Sequence, residues 1–305
     1  MIHEEIPPAL GGERLDRIVA LVTDASRADA AALVANGGVL VDGRLVTSGK
    51  QRLQIGQHID VDETKLPITQ LPQADASITF GVIYDDEHVI VVDKPGGLVV
   101  HPGAGNLDGT LVNGLLARYP ELAGVGDPHR PGIVHRLDIG TSGLMVVARS
   151  VQAYHSLVYA LSQRDVARVY RTMVWGAVAN PAGVIDAPIG RDHRDPMRMA
   201  VVVDGKSART RYQVLSTYTM PAEASVLECR LESGRTHQIR VHLAAIGHPV
   251  IGDLAYGSAR AQIACTRPYL HAAELAFAHP VTNEQLAFRS PLPDDLAAVE
   301  VQFTT

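Results

Sequence analysis

The feature that most constrains the fold is a polar loop between two apolar segments, in residues 132–148. Residues 133–134 lead into the loop, residues 144–148 lead out of it, and Gly140 and Gly143 bracket a turn. Short apolar runs bounded by glycine are typical of strands that end at a turn. The pattern therefore predicts two strands joined by a polar loop.

One carboxylate, Asp138, lies in this loop, with Arg136 before it and Thr141 and Ser142 after it. These neighbours can hydrogen-bond to the carboxylate and keep it ionised. An ionised aspartate on such a loop can act as a nucleophile or as a general base. An aspartate beside Gly, Thr and Ser more often caps the turn through its own backbone, and spacing alone favours that structural role.

The order of the residues is more specific than their spacing. Residues 135–148 read HRLDIGTSGLMVVA, which closely resembles the HRLDxxTSG signature of the RluA/RluD-type pseudouridine synthases. In those enzymes the aspartate of the signature is the catalytic residue. The resemblance therefore implies a catalytic role for Asp138.

Length and composition indicate a globular protein of two domains. The chain has 305 residues, of which 46% are hydrophobic and 20% are charged, as in ordinary folded proteins. No apolar run approaches the roughly 18 residues of a membrane span, and Glu4 and Glu5 lie where a signal peptide carries positive charge. We therefore expect a cytoplasmic protein without a membrane partner.

Neither cysteines nor histidines indicate a metal site. Cys229 and Cys265 are far apart and flank no CxxC motif, so no disulfide framework or structural zinc is expected. Among the 13 histidines, His237 and His242 lie five residues apart in an apparent strand. A strand would turn these two side chains to opposite faces, which argues against a shared metal.

The distribution of charge leaves the partner open. The net charge of −6 weighs against nucleic acid, because phosphate contacts supply most non-specific affinity. The basic residues are nevertheless grouped along the chain, with Arg164, Arg168 and Arg171 in one group and Arg191, Arg194, Arg198, Lys206, Arg209 and Arg211 in another. A solvated face and a phosphate-binding stripe are both compatible with such groups.

The first 60 residues carry the signals of two helices and a hairpin. Apolar residues at helical spacing predict a first helix, and Ser26 is a suitable N-cap for a second helix that ends at residues 36–38. Two short strands are joined by Asp42 and Gly43, a dipeptide suited to a tight turn. Residues 56–61 are predicted to form a third strand.

These elements contain the motifs RLDR, SRADA, NGGVLVDGR and IGQHIDVD in that order. The arrangement resembles the alpha-L RNA-binding module that a small-subunit ribosomal protein also carries. In that module the first two helices and their connection contact RNA phosphates. The resemblance implies RNA contacts for Arg14, Arg17 and Arg27.

A change of composition after this module predicts a domain boundary. Residues 66–77 contain prolines, many polar residues and no clear periodicity, which is typical of a linker. We therefore predict an RNA-binding module at residues 1–65, a linker at residues 66–77 and a catalytic domain at residues 78–305.

Further motifs follow in the order in which the RluA/RluD-type synthases carry them, so the resemblance covers essentially the whole chain. They are DKPGGLVVHP at residues 93–102, APIGR at 187–191, GKSART at 205–210 and GRTHQIRVHL at 234–243.

The resemblance implies roles for several of these residues. The arginine of the QIR step pairs with the catalytic aspartate in these enzymes, so Arg240 is the expected partner of Asp138. Tyr170 and Arg168 share one face of a predicted strand, where the family has a tyrosine that stacks on the target base and can shuttle protons. An ordinary half-buried strand tyrosine is the structural alternative. Arg136 is expected to fill the gap that the flipped base leaves.

Arg235 and His237 are further expected RNA contacts, although both can equally serve only to order the turn before the QIR step. With Arg168 and Arg136 they complete the RNA-binding residues that the resemblance implies for the catalytic domain.

The family resemblance implies an α+β fold: a mixed, mainly antiparallel sheet flanked by helices, preceded by a small α+β RNA-binding domain. The implied activity is that of an isomerase that converts uridine in RNA to pseudouridine, without a cofactor or a metal. The implied partner is RNA, specifically large-subunit rRNA or a ribosome precursor, bound by a monomer. The aspartate could attack the ribose, attack the uracil ring or remove a ribose proton. A non-catalytic rRNA assembly factor and a metal-dependent hydrolase are the alternative functions.

Overall fold

The computed structural model describes residues 1–23, 25, 27–66, 71–103, 106–195, 198–257 and 263–305. The chain divides into two units, Met1–Leu71 and Pro72–Thr305. Each unit buries an apolar core of its own. Ser26, the predicted helix cap, and residues 67–70 of the predicted linker lie outside the described residues.

The first unit packs helices on an antiparallel sheet of strand order β1-β4-β2-β3. Its elements are β1 (Ile2–Glu5), α1 (Leu15–Thr23), α2 (Arg27–Ala35), β2 (Val39–Val41), β3 (Arg44–Leu45) and β4 (His58–Val61). Asp42 and Gly43 both have positive φ angles, 49° and 72°, in the turn between β2 and β3. The predicted tight hairpin is therefore confirmed.

The second unit is built on one long mixed sheet of strand order β5-β6-β7-β14-β8-β13-β12-β9, with β15 paired to β14. The strands of this unit are β5 (Gly81–Asp85), β6 (Val89–Lys94), β7 (Ser142–Ala148), β8 (Ala167–Trp175), β9 (Ala182–Asp186), β10 (Ile189–Arg191), β11 (Met199–Val201), β12 (Arg209–Tyr218), β13 (Ala224–Leu231), β14 (Leu270–Ala278) and β15 (Gln285–Arg289). Strands β10 and β11 form a separate two-stranded sheet. Among the described strands every pair in the long sheet is antiparallel except β7 with β14. The predicted α+β fold with a mainly antiparallel sheet is confirmed.

The helices of this unit are α3 (Leu111–Arg118), α4 (Val151–Gln163), α5 (Gln238–Ala245) and α6 (Asp294–Glu300). Two of them have side-chain caps at their first turn: Thr110 and Asn113 form a capping box at α3, and the Ser150 hydroxyl accepts the Ala153 N–H at α4. No helix in the described part of the chain combines the length and apolar character needed to cross a bilayer.

The strand predicted around His237 and His242 is wrong, because residues 238–245 form helix α5. Residues 238–243 are all buried, so the segment shows no helical periodicity, and a short apolar run cannot be distinguished from a strand by pattern alone. His237 lies at the amino end of this helix, where its backbone adopts a left-handed conformation with φ of 58°.

The register of the sheet brings the polar loop beside β8. Gly143 of β7 pairs with Ala272 of β14, and Ala272 pairs with Tyr170 of β8. Gly143 has φ of 110°, and a Cβ atom there would lie 2.3 Å from the Ala272 carbonyl oxygen, so this close approach requires glycine. The loop that carries Asp138 directly precedes β7 and is thereby held next to Tyr170.

Candidate active site

A cleft of about 380 Å³ opens in the second unit beside the Asp138 loop. Its walls come from that loop, the start of β8 and the segment that leads into α5. It contains six of the predicted site residues: Asp138, Tyr170, Arg136, Arg168, Arg235 and His237. Asp138 is the single carboxylate among the described lining residues, alongside four arginines, so the cleft favours an anionic ligand.

Arg240 lies behind Asp138 and contacts two carboxylates. Its Nη1 donates to Asp138 Oδ2 at 3.2 Å, while its Nε and Nη2 form a fork on Asp253 at 2.6 and 2.8 Å. The Asp253 side chain is fully buried, and that of Asp138 is 15% exposed. The bidentate pair fixes the guanidinium, so its third nitrogen holds Asp138 in place at the edge of the cleft.

The pair with Asp253 keeps Arg240 charged. Burial alone would lower the pKa of Arg240, but its contacts with Asp253 and Asp138 outweigh burial and raise the pKa. Burial likewise would raise the pKa of Asp253, yet the hydrogen bonds from Arg240 hold the pKa below the ordinary range. The backbone N–H groups of Ala255 and Tyr256 also donate to Asp253.

Tyr256 joins this cluster to His237. Its ring lies under the Arg240 guanidinium, 5.0 Å from the Cζ atom, and its hydroxyl lies 2.7 Å from His237 Nδ1. His237 Nε2 is 3.9 Å from Asp138 Oδ1. Burial lowers the pKa of His237, so the ring is held mainly in its neutral form beside the carboxylate.

Tyr170 and Arg168 project into the cleft from the same face of β8. Tyr170 is buried, and burial raises the pKa of its phenol to about 12. Arg168 is also buried, and burial lowers its pKa. Tyr170 is therefore a neutral ring at ordinary pH, and Arg168 is a cation largely removed from water.

The backbone of the Asp138 loop is fixed by a turn of its own and by groups from two other segments. The Asp138 carbonyl accepts from Thr141 N–H, and the Ile139 carbonyl accepts from Gly97 N–H at 2.7 Å and from Lys94 Nζ at 3.4 Å. Arg267 donates to the Gly140 carbonyl at 2.9 Å while its guanidinium forms a fork on Asp295. These contacts leave the carboxylate of Asp138 little freedom to move.

Lys94 is fully buried and donates mainly to the carbonyls of Pro95 and Leu98, at 2.9 and 2.8 Å. Burial lowers the pKa of Lys94 to about 7; the charge of Arg267 lowers it further, and that of Asp138 opposes the shift. An unfolded lysine keeps its proton up to about pH 10. Between about pH 7 and 10 the unfolded chain therefore binds more protons than the folded one, and the stability linked to Lys94 rises with pH.

We predict that Lys94 titrates near pH 7 in the folded protein. Nuclear magnetic resonance of the lysine side chains provides the measurement, because the chain contains just four lysines: Lys50, Lys65, Lys94 and Lys206. One ε-methylene resonance should shift near pH 7, and that resonance should be missing from the spectrum of Lys94→Met. A Lys94 resonance that stays unshifted up to pH 9 would contradict the prediction.

The three predicted RNA contacts of the first unit all have carboxylate partners. Arg14 and Arg27 donate to the buried Asp16, and Arg17 pairs with Glu13 at 2.9 Å. Arg17 and Arg27 remain more than half exposed, with 58% and 57% of their side chains accessible. These two arginines can therefore still reach a phosphate from solvent.

Sequence reasoning missed four residues that support the site: Asp253, Tyr256, Lys94 and Arg267. Lys94 lies within DKPGGLVVHP, a motif that resembles the synthases, and Asp253 lies ten residues beyond the end of GRTHQIRVHL. No local pattern marks Tyr256 or Arg267, whose roles depend on contacts with distant segments.

Comparison with known proteins places this site in a family. Residues 88–245 match the RNA pseudouridylate synthase family, and residues 13–59 match the S4 domain. A protein named uncharacterised RNA pseudouridine synthase from Chloroflexus aurantiacus is 46% identical over 96% of this chain and 91% of its own length. The ribosomal large subunit pseudouridine synthase D of Nitrosomonas europaea is 44% identical over 98% of this chain and 86% of its own length.

A solved structure shares the fold of most of the chain. Human RNA pseudouridylate synthase domain containing 1 aligns with a TM-score of 0.60 and 26% identity, over 76% of this chain and 91% of that one. The matched family region includes Asp138, Tyr170 and Arg240. The chain therefore belongs to the RNA pseudouridylate synthase family, whose members isomerise uridine to pseudouridine, and it carries an S4 domain ahead of that match.

Proposed function

We propose that this enzyme forms pseudouridine in large-subunit ribosomal RNA, with Asp138 as its catalytic carboxylate. The observation that carries the proposal is the position of Asp138, which lies at the edge of a cationic cleft and 3.2 Å from a guanidinium that is itself fixed. Relatives that match nearly the full chain are named ribosomal large subunit pseudouridine synthase D, which supports the choice of RNA.

The reaction moves one bond and loses no atoms. The bond from the ribose anomeric carbon to uracil N1 breaks, the uracil turns, and a new bond forms between the same ribose carbon and uracil C5. The proton on C5 leaves, and N1 gains a proton, so no electrons are gained or lost. Asp138 acts as the nucleophile or base, while the fixed guanidinium of Arg240 donates to its carboxylate and holds it at the edge of the cleft.

We assign Tyr170 the role of stacking on the target base. A phenol with a pKa near 12 stays protonated at neutral pH, so it offers the uracil a flat apolar ring and a hydroxyl that can donate. The position of Tyr170 supports this assignment. Ala272 of β14 pairs with Tyr170 of β8 on one side and with β7 on the other, which brings Tyr170 beside the Asp138 loop.

The target base must leave its stack to enter the cleft, at a cost of about a few kcal/mol. Arg136 is one of three exposed arginines that line the cleft, and we assign it to the gap that the base leaves. We assign contacts with the flipped nucleotide and its neighbours to Arg168, Arg235 and His237, since they line the same cleft. The free energy of these contacts offsets the cost of flipping the base.

We assign RNA anchoring to residues 1–65 and catalysis to residues 78–305, with Arg14, Arg17 and Arg27 as contacts of the anchoring module. The match of residues 13–59 to the S4 domain supports this assignment. We further propose that the enzyme acts as a monomer in the cytoplasm, where ribosomal RNA is assembled.

Mapping pseudouridines in total RNA from cells with and without the gene tests the proposed substrate. At least one uridine of large-subunit rRNA should lose its modification in the deletion strain. The wild-type gene should restore it, whereas Asp138→Asn should not. A loss confined to transfer RNA, or no loss in any RNA, would overturn the proposal.

A further inference from the structure

The cleft contains an unusual concentration of unsatisfied hydrogen-bonding groups. Five buried side-chain nitrogen or oxygen atoms in the described part of the chain have no hydrogen-bond partner. Three of them belong to residues that line this one cleft: His101 Nδ1, His135 Nδ1 and Arg168 Nε. Buried polar groups are normally satisfied, so this cluster points to a bound group that supplies the missing partners.

Arg168 gives the strongest evidence of the three. Arg168 is 8% exposed, and in the described part of the chain its side chain makes neither an ion pair nor a hydrogen bond. Burial lowers the pKa of Arg168, and the electrostatic effect of the nearby Tyr170 partly opposes this shift. A guanidinium stays protonated even so, and an isolated buried cation is costly unless an anion joins it.

His135 lies near Arg168 and presents a second donor. Its Nε2 accepts the Val146 N–H at 3.1 Å, which places the ring proton on Nδ1. Burial lowers the pKa of His135 to about 3, with the charge of Arg168 adding to the effect, so the ring is neutral. The Nδ1–H has no acceptor. Two neighbouring donors therefore face the cleft without partners.

We propose that Arg168 and His135 form a buried site for one phosphate of the nucleotide that enters the cleft, an inference that rests on the proposed function. A phosphate is the one anionic group that each RNA nucleotide carries, whereas uracil is neutral and would leave the Arg168 charge uncompensated. A Cβ atom at Gly234 would lie 3.0 Å from Arg168 Nη1, so glycine keeps the approach to the guanidinium open.

This site differs in kind from a groove contact at the surface. Arg235 is exposed and lines the rim of the same cleft, so its interaction with RNA is screened by water and salt. Arg168 is shielded from water and salt. It would bind a phosphate only after the nucleotide has entered the cleft. The site therefore holds the target nucleotide in the cleft and positions the ribose beside Asp138.

A pairing of protein and RNA variants tests the proposal. The substrate is a synthetic RNA that contains the uridine modified by the wild-type enzyme. In two further RNAs, the phosphate 5′ or 3′ of that uridine is replaced by an uncharged methylphosphonate. Single-turnover rates are measured with the full-length wild type, with Arg168→Met and with Arg230→Met. Arg230 lies on the neighbouring strand β13, outside the cleft, and is paired with Glu228.

Removing one phosphate charge should slow the wild type on the order of 10- to 100-fold, the range expected for a charged hydrogen bond. On the native RNA, the single-turnover rate of Arg168→Met should be lower than that of the wild type by a similar factor. On the methylphosphonate RNA that slows the wild type, the rate of Arg168→Met should fall almost no further. Arg230→Met should react with the native RNA at the wild-type rate and should be slowed by the methylphosphonate as much as the wild type is. If Arg168→Met does not fold, Arg168→Gln replaces it with the same expectation.

Additive losses at both phosphate positions would overturn the inference, because they would show that Arg168 binds neither phosphate. That outcome is distinct from a failure of the proposed function, in which the wild type would form no pseudouridine on the native RNA.

Discussion

Asp138→Asn is expected to lower the single-turnover rate of pseudouridine formation on the order of 10⁴-fold or more, with little change in RNA affinity. Asparagine keeps the size of the side chain and can still accept a hydrogen bond from Arg240, so the cleft retains its shape. The amide is neither a nucleophile nor a base at neutral pH. The loss therefore falls on the chemical step.

The matched control is Asp85→Asn. Asp85 also lies near an arginine, with Arg149 Nη1 at 3.8 Å, and neither residue lines the cleft. This variant should turn over at close to the wild-type rate. Appreciable product from purified Asp138→Asn, or an equal defect in Asp85→Asn, would remove Asp138 from its assigned role.

Arg240→Met is expected to have the second large effect, on both stability and rate. The substitution leaves Asp253 fully buried without its cation, and an uncompensated buried charge costs on the order of 3–5 kcal/mol of unfolding free energy. It also removes the donor that holds Asp138 in position. Urea denaturation and single-turnover kinetics measure the two losses separately.

A double variant separates the structural role of Arg240 from its role toward Asp138. In Arg240→Met with Asp253→Asn, the buried charge is gone and the amide still accepts from Ala255 and Tyr256 N–H. We expect most of the lost stability to return while the rate stays low, because Asp138 still lacks its cation. A double variant with wild-type turnover would show that Arg240 serves only to neutralise Asp253.

The signals that the sequence carried reliably were local ones. The Asp42-Gly43 turn depends on a few neighbouring residues, so the sequence predicted it at the right position. The motifs around Asp138 and Arg240 indicated the family and its chemistry, because the order of residues in a short segment is itself specific. The same local reasoning failed at α5, where burial on all sides removes the periodicity that distinguishes a helix from a strand.

Only the tertiary structure decided which charges are paired. Arg240 is 102 residues from Asp138 in the sequence, and its stronger partner, Asp253, comes from yet another segment. Arg168 and Arg171 are alike in the sequence, yet Arg171 forms an ion pair with Glu300 and Arg168 is buried in the cleft without a partner. The free energy of a charge depends on its burial and on its neighbours in space. The sequence therefore determined the chemistry available to this protein, and the packing of distant strands determined which side chains carry it out.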